Sequence, residues 1–290
     1  MKKNYRHKDV WRKIPHWDYN WETDTYSLNG YSNPYTRVYE QSQNNHSINA
    51  QYFLNWTKQI SEHNLNATFV YEYLSDDYNW FDAMRRDYLL EIDFLNAGPD
   101  LNKTNGGSGS EGGRMGLISR LNYDYGGKYL VELNGRYDAS PLFPKETRWG
   151  FFPSVSLGWR ISEETFFGDN IPNVDNLKVR ASYGQLGYDA ISSFQYLQTF
   201  SLSSSYIFDS STNELANGIR SDGIPNPNIT WEKMTSYNAG IDFGLWNNKL
   251  EGSLDYFYRL RSDVLGRRIA SLPNIVGATM PSVNYAEYDN

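Results

Sequence analysis

Side chains alternate between apolar and polar with a period of two, in runs long enough that each must be a β-strand rather than a helix. From 47 to 60 the even positions include Ile48, Ala50, Tyr52, Leu54 and Trp56, and the odd ones include Ser47, Asn49, Gln51, Asn55 and Thr57. The alternation resumes at 64–73 with Leu65, Ala67, Phe69, Tyr71 and Tyr73, and again at 114–125 with Met115, Leu117, Leu121, Tyr123 and Tyr125. Gly126-Gly127-Lys128 supplies a tight turn, after which Tyr129, Val131, Leu133 and Tyr137 carry the period onward. Runs at 151–159, 177–183, 235–243 and 250–260 fit the same template, which predicts eight antiparallel strands across residues 47–260. They are longer than the about 5–6 residues of an ordinary soluble strand and approach the roughly 9–11 of one that spans a bilayer.

The two faces of these runs differ in kind. The apolar face carries no Asp, Glu, Lys or Arg apart from Lys58 at the turn end of the first run, whereas the other carries Glu72, Arg114, Arg120, Asp124, Glu132, Arg136, Asp138, Arg160, Lys178, Arg180, Asp242, Glu251, Asp255 and Arg259. A soluble sandwich also alternates apolar-in and polar-out, so the order of side chains along each run decides. Middle positions are aliphatic or small (Ala67, Leu117, Leu133, Val155, Ala181, Ala239, Leu254), and the ends are aromatic (Tyr73, Tyr125, Tyr129, Tyr137, Trp159, Tyr183, Tyr237, Phe243, Tyr258). Aromatic girdles bracketing an aliphatic band are what a bilayer selects. Connection lengths agree. The short ones, 61–63, 126–128, 161–176 and 245–249, alternate with 75–113, 139–149 and 188–232, as short periplasmic turns alternate with long extracellular loops. The expectation is an all-β chain, an antiparallel transmembrane β-barrel segment of about eight strands. Residues 1–46 and 261–290 are expected to be mostly extracellular loop, the latter leading to a further strand.

Composition narrows the function. With 27 Lys+Arg against 34 Asp+Glu the net charge is −7, which argues against nucleic acid as a partner. Cysteine is absent, removing disulfides, thiolate metal sites and thiol nucleophiles together. Met1-Lys2-Lys3-Asn4-Tyr5-Arg6 is basic like the start of a signal peptide, but no apolar stretch follows. The four histidines, His7, His16, His46 and His63, make no metal-binding spacing, and no Gly-x-Ser-x-Gly elbow occurs. No enzyme, metal site or cofactor is therefore expected. Gly106-Gly107-Ser108-Gly109-Ser110-Glu111-Gly112-Gly113 lacks the Lys-Ser/Thr of a phosphate loop and reads as a flexible loop tip.

Two groups remain as candidate ligand contacts. Aromatic residues in the connections, Trp11, Trp17, Tyr19, Trp21, Tyr78, Trp80, Phe81, Phe194 and Tyr196, can stack on sugar faces or grip peptide side chains, or can pack loop upon loop. The charges Arg114, Arg120, Glu132, Arg136, Asp138, Lys178, Arg180, Asp242, Asp255 and Arg259 face a lumen in this reading. They either line a solute path or form a hydrogen-bonded wall.

Longer motifs carry a family resemblance. Gly135-Arg136-Tyr137-Asp138-Ala139-Ser140, Arg148-Trp149-Gly150-Phe151-Phe152-Pro153-Ser154-Val155-Ser156-Leu157-Gly158-Trp159-Arg160 and Leu177-Lys178-Val179-Arg180-Ala181-Ser182-Tyr183-Gly184 occur in order. Asn226-Pro227-Asn228-Ile229-Thr230-Trp231-Glu232-Lys233 follows them. Together they resemble the SusC/RagA-type TonB-linked outer-membrane transporters over about residues 45–290. The resemblance implies a plugged, 22-stranded barrel in the outer membrane of a Gram-negative bacterium, importing oligosaccharides or peptides. It implies a SusD-type surface lipoprotein over the mouth and energy from TonB-ExbB-ExbD through a plug. Neither plug nor TonB box is recognisable here, so the chain reads as an internal piece of such a barrel. A small self-closed eight-stranded barrel, acting as adhesin or anchor, is the competing architecture. It would pair the strands around Tyr52 and Tyr256.

Overall fold

The computed structural model describes residues 2–168, 171, 173–207, 215–267 and 280–290. Its strands are β1 (Lys2–Trp11), β2 (Pro15–Asn20), β3 (Thr25–Tyr31), β4 (Arg37–Ile60), β5 (His63–Arg86), β6 (Thr104–Tyr125) and β7 (Tyr129–Ala139). They continue with β8 (Trp149–Arg160), β9 (Val174–Tyr188), β10 (Phe200–Ile207), β11 (Leu215–Ser221), β12 (Glu232–Leu245), β13 (Leu250–Arg267) and β14 (Ser282–Asp289). Ten of them form one sheet in the order β1-β4-β5-β6-β7-β8-β9-β12-β13-β14, and β2-β3 and β10-β11 are separate hairpins. Every registered pair is antiparallel. No described helix is long and apolar enough to cross a membrane.

Each expected strand lies inside an observed one, but the observed strands run further. Ten strands share the sheet where the alternation marks eight. Residues 2–11, 37–46 and 282–289, expected as loop, are extended and paired. Most of 75–113 belongs to β5 and β6, leaving 87–103 as the true connection. The glycine-rich stretch is likewise not a loop tip but the first half of β6. Its glycines lie close under β5: a Cβ added at Gly107 or Gly109 would stand 3.1 or 3.2 Å from the carbonyl oxygens of Trp80 and Tyr78. Backbone pairing overrides poor strand propensity there. β4 and β13 are not neighbours in the sheet, and among the described residues no registered pair joins the neighbourhoods of Tyr52 and Tyr256. Among the described residues the sheet does not close on itself.

The chain divides into two compact units, residues 1–49 with 74–113, and residues 50–73 with 114–290. In the second unit the cross-strand rows are set by register. One row runs Tyr125, Tyr129, Trp159, Val179, Ile241, Leu254, and another Leu121, Leu133, Val155, Tyr183, Tyr237, Tyr258. The aromatic members touch. Tyr125 and Tyr129 have centroids 6.1 Å apart, Tyr129 and Trp159 6.4 Å, and Tyr183 and Tyr237 5.3 Å. Among the described residues no second layer covers this face: Leu54 is 67% exposed and Leu254 68%, and Leu117, Leu133, Leu157 and Ile241 are exposed as well. The buried hydrophobic cluster of Phe143, Phe152, Ile229 and Trp231 lies on the opposite side and is described below.

At the short-turn end, Glu164 fastens the turn between β8 and β9 to the aromatic row. Its carboxylate accepts hydrogen bonds from the Tyr129 hydroxyl at 2.6 Å and the Trp159 indole N–H at 3.0 Å, with Lys128 Nζ 3.5 Å away. Those donors, Tyr129 foremost, hold its carboxyl below the usual glutamate range despite partial desolvation. A folded value below the unfolded one means the stabilisation is complete at neutral pH and disappears as pH falls through the depressed value. Acidification is therefore expected to loosen residues 161–168, seen as faster amide exchange there. Glu164→Gln should exchange fast at every pH, and an unchanged pH profile in that variant would refute the role.

Candidate solute-facing surface

The polar face of the second unit is built from glycines, small hydroxyls and a few long charges that meet across strands. Arg180 on β9 ties two strands at once, with Nε 3.2 Å from Asp242 on β12 and a second nitrogen 2.7 Å from Asp255 on β13. Gly240 stands between them in the register, and a Cβ there would sit 2.7 Å from the guanidinium carbon. The missing side chain is what lets the ion pair form over bare backbone. Arg136 makes two 3.0 Å hydrogen bonds to buried Asp138, with Glu72 3.7 Å away. Arg120 donates to Asn134 at 2.9 Å, and Asn134 donates to Glu132 at 2.7 Å. Arg114 is paired with Asp189.

Lys178 and Arg259 form no ion pair among the described residues, and Arg259 lies over the Phe257 ring at 4.8 Å. A shallow groove of about 540 Å³ runs along this face, lined by Lys58, Asn66, Asn122, Glu132, Lys178 and Arg180. No described cluster of His, Asp and Glu could hold a metal ion.

Where β7 and β8 end, the same face carries a strap. Asn226-Pro227-Asn228 makes a turn in which the Asn226 carboxamide oxygen accepts the Asn228 N–H at 3.0 Å, the side chain standing in for backbone. The turn delivers Ile229 and Trp231 onto Phe143 and Phe152, and all four are buried. Trp231 packs edge-on to Phe152 at 5.3 Å and donates from its indole nitrogen to the Arg148 carbonyl at 3.1 Å. A Cβ at Gly150 or Gly187 would run into the Phe152 ring. Polar bonds pin the strap on both sides. Thr147 donates to the Ile229 carbonyl at 2.8 Å, Asn226 to the Ser282 carbonyl at 2.7 Å, and Asn284 to the Thr230 carbonyl at 2.9 Å.

The chain matches the family model described as TonB dependent receptor-like, beta-barrel, over residues 2–287. The chain belongs to the TonB-dependent receptor family. It is 37% identical over 152 residues to the TonB-dependent receptor SusC of Bacteroides thetaiotaomicron, which covers 52% of this chain and 15% of that protein. Against the TonB-dependent receptor P3 of Formosa agariphila it is 29% identical over 240 residues, 82% of this chain and 23% of that protein. The solved structure of the RagAB peptide importer in its closed-closed state superposes with a TM-score of 0.78 at 21% identity. That match covers 99% of this chain and 30% of the other, and it speaks for the fold. The chain thus spans less than a quarter of the length of these curated relatives.

The aromatic residues singled out from the sequence of this TonB-dependent receptor chain do not converge on one site. Trp11 lies at the end of β1 beneath the Arg37 guanidinium, 3.6 Å from the ring centroid, and stacks on Tyr35 at 5.7 Å. Trp17 and Tyr19 are on β2 and Trp21 is in the turn that follows, where it is 77% exposed. Tyr78, Trp80 and Phe81 belong to β5. Phe194 and Tyr196 meet edge to face at 6.2 Å, and Tyr196 also packs against the strap cluster. Sequence reasoning assigned no role to Ile229, Trp231 or Asn284. The Asn-Pro-Asn turn signal was present, but nothing local says what the turn reaches.

Proposed function

We propose that this chain is part of a TonB-dependent transporter in the outer membrane of a Gram-negative bacterium, importing large nutrients, oligosaccharides or peptides, without catalysis. The observation that carries the reading is the bare face: side chains that uncharged and that exposed need hydrocarbon as their solvent. The aromatic rows support it. A girdle lying in one plane must step from row to row as it passes tilted strands, and the aromatics do shift from the Tyr125 row on β6–β8 toward Phe243 on β12, one row nearer the short turns. Receptors of this family sit in that membrane.

In this reading the connections 87–103, 140–148 and 189–231 are extracellular and the short turns periplasmic. A SusD-type surface lipoprotein covers the mouth, and TonB-ExbB-ExbD supplies energy through a plug. Exposed Trp17, Tyr19, Trp21, Phe81 and Phe194 are the aromatics available to cargo, while Trp11 and Tyr196 serve packing. Of the wall cations named above, Lys178 and Arg259 are the two outside ion pairs among the described residues. The test is uptake of labelled oligosaccharides and peptides by cells carrying the full-length protein, with and without TonB. TonB-dependent uptake of either class is expected. Failure of both, or absence of the protein from the outer membrane, would overturn the proposal.

A further inference from the structure

The first half of β6 has a partner on one side only. β7 pairs with β6 from Met115 to Tyr125, and at Ala139 the chain turns away toward β8. Residues 104–113 therefore pair with β5 along one edge and, among the described residues, with nothing along the other. All of these residues are exposed or half-exposed. Free edges are normally guarded by lysines, prolines or bulges. β1, in the same unit, carries Lys2, Lys3, Arg6 and Lys8. The β6 edge reads Thr104-Asn105-Gly106-Gly107-Ser108-Gly109-Ser110-Glu111-Gly112-Gly113, with no proline, no lysine and almost no side chain to obstruct an approaching backbone.

Register adds a preference. Gly107 and Gly109 lie against Phe81 and Asn79, and Gly113 against Ser75, which sets Glu111 opposite Asp77. Like charges facing each other across a pair are unfavourable. Neither carboxylate has an ion-pair partner among the described residues, so a cation arriving with the next strand would relieve both.

We infer that Thr104–Gly113 is a docking edge for an extended segment of a second protein, added as a further antiparallel or parallel strand with a Lys or Arg near Glu111. Backbone bonds supply the affinity in such strand addition, and side-chain pockets supply selectivity. Here pockets are missing, so selectivity comes from the acidic pair and from where the partner is held. A long run of backbone pairing releases slowly, which suits a standing partner better than passing cargo. The inference holds whichever nutrient the transporter carries.

The experiment uses the full-length protein in detergent and a ten-residue probe of alternating threonine and lysine with ¹³C-labelled carbonyls. Binding is expected, with the labelled carbonyl band moving to the position of paired strands. The same peptide N-methylated at alternate amides should bind at least tenfold more weakly. Glu111→Lys, an exposed change, should reverse the preference toward a threonine–glutamate peptide. Equal binding of the methylated peptide, no binding of either probe, or unchanged preference in the variant would each overturn the inference. So would TonB-dependent uptake of the probe, which would make it cargo, or dimerisation through this edge in place of peptide binding.

Discussion

Leu133→Arg is expected to destabilise the folded protein in lipid vesicles by about 2–4 kcal/mol, the cost of an arginine near the midplane on the lipid face of a β-barrel. Leu133 sits between Leu121 and Val155 in a row without a charge, and it is exposed on that face. Were that face wetted by water, the same change would be an ordinary surface substitution worth no more than about 0.5 kcal/mol. Ser182→Arg is the matched control. Ser182 lies on the charged side between Ser156 and Asn238 and should tolerate the arginine within about 1 kcal/mol. Urea unfolding midpoints of the full-length protein in vesicles separate the cases. Equal small losses for both would mean that the apolar face does not meet hydrocarbon.

The same physics explains which parts of the fold are legible from the residues. Alternation is a record of two different solvents, so strands are readable only where one face meets an apolar medium. At Leu117, Leu133 and Val155 it does, and the expected strands coincide with observed ones. At Glu40-Gln41-Ser42-Gln43-Asn44-Asn45 and at Gly106–Gly113 both faces are polar, the period vanishes, and the strand persists on backbone hydrogen bonds alone. That is why β4, β5 and β6 extend past their expected ends, and why a glycine run suggestive of a loop is paired chain. The wall charges were legible as a face, but their partners were not. Arg180 meets Asp242 and Asp255 at sequence separations of 62 and 75, which only the strand order brings together. The strap is the extreme case. Its turn chemistry is visible in Asn226-Pro227-Asn228, yet its destination depends on contacts with Phe143 and Ser282 that no local pattern encodes.

Trp231→Ala is expected to have the larger effect, about 3–5 kcal/mol, as for other fully buried large-to-small changes. Trp231 is 3% exposed and Phe143 0%, and the indole fills the space between Phe143 and Phe152 with centroid separations of 5.1 and 5.3 Å. Removing it takes away ring packing and the indole bond to the Arg148 carbonyl together. Neighbouring strands are held by complete ladders and do not depend on this contact, so the loss should be local. Amide exchange at 226–231 and 141–148 should rise toward that of open loops, while β7 and β8 around Leu133 and Val155 stay protected. Trp231→Phe should keep most of the packing and lose the hydrogen bond, costing about 1–2 kcal/mol. If exchange in the strap were unaltered in the alanine variant, the buried cluster would not be what fastens the strap to the polar face. If protection around Leu133 and Val155 fell with it, strap and sheet would form one cooperative unit rather than a sheet with an anchored lid of chain across one end.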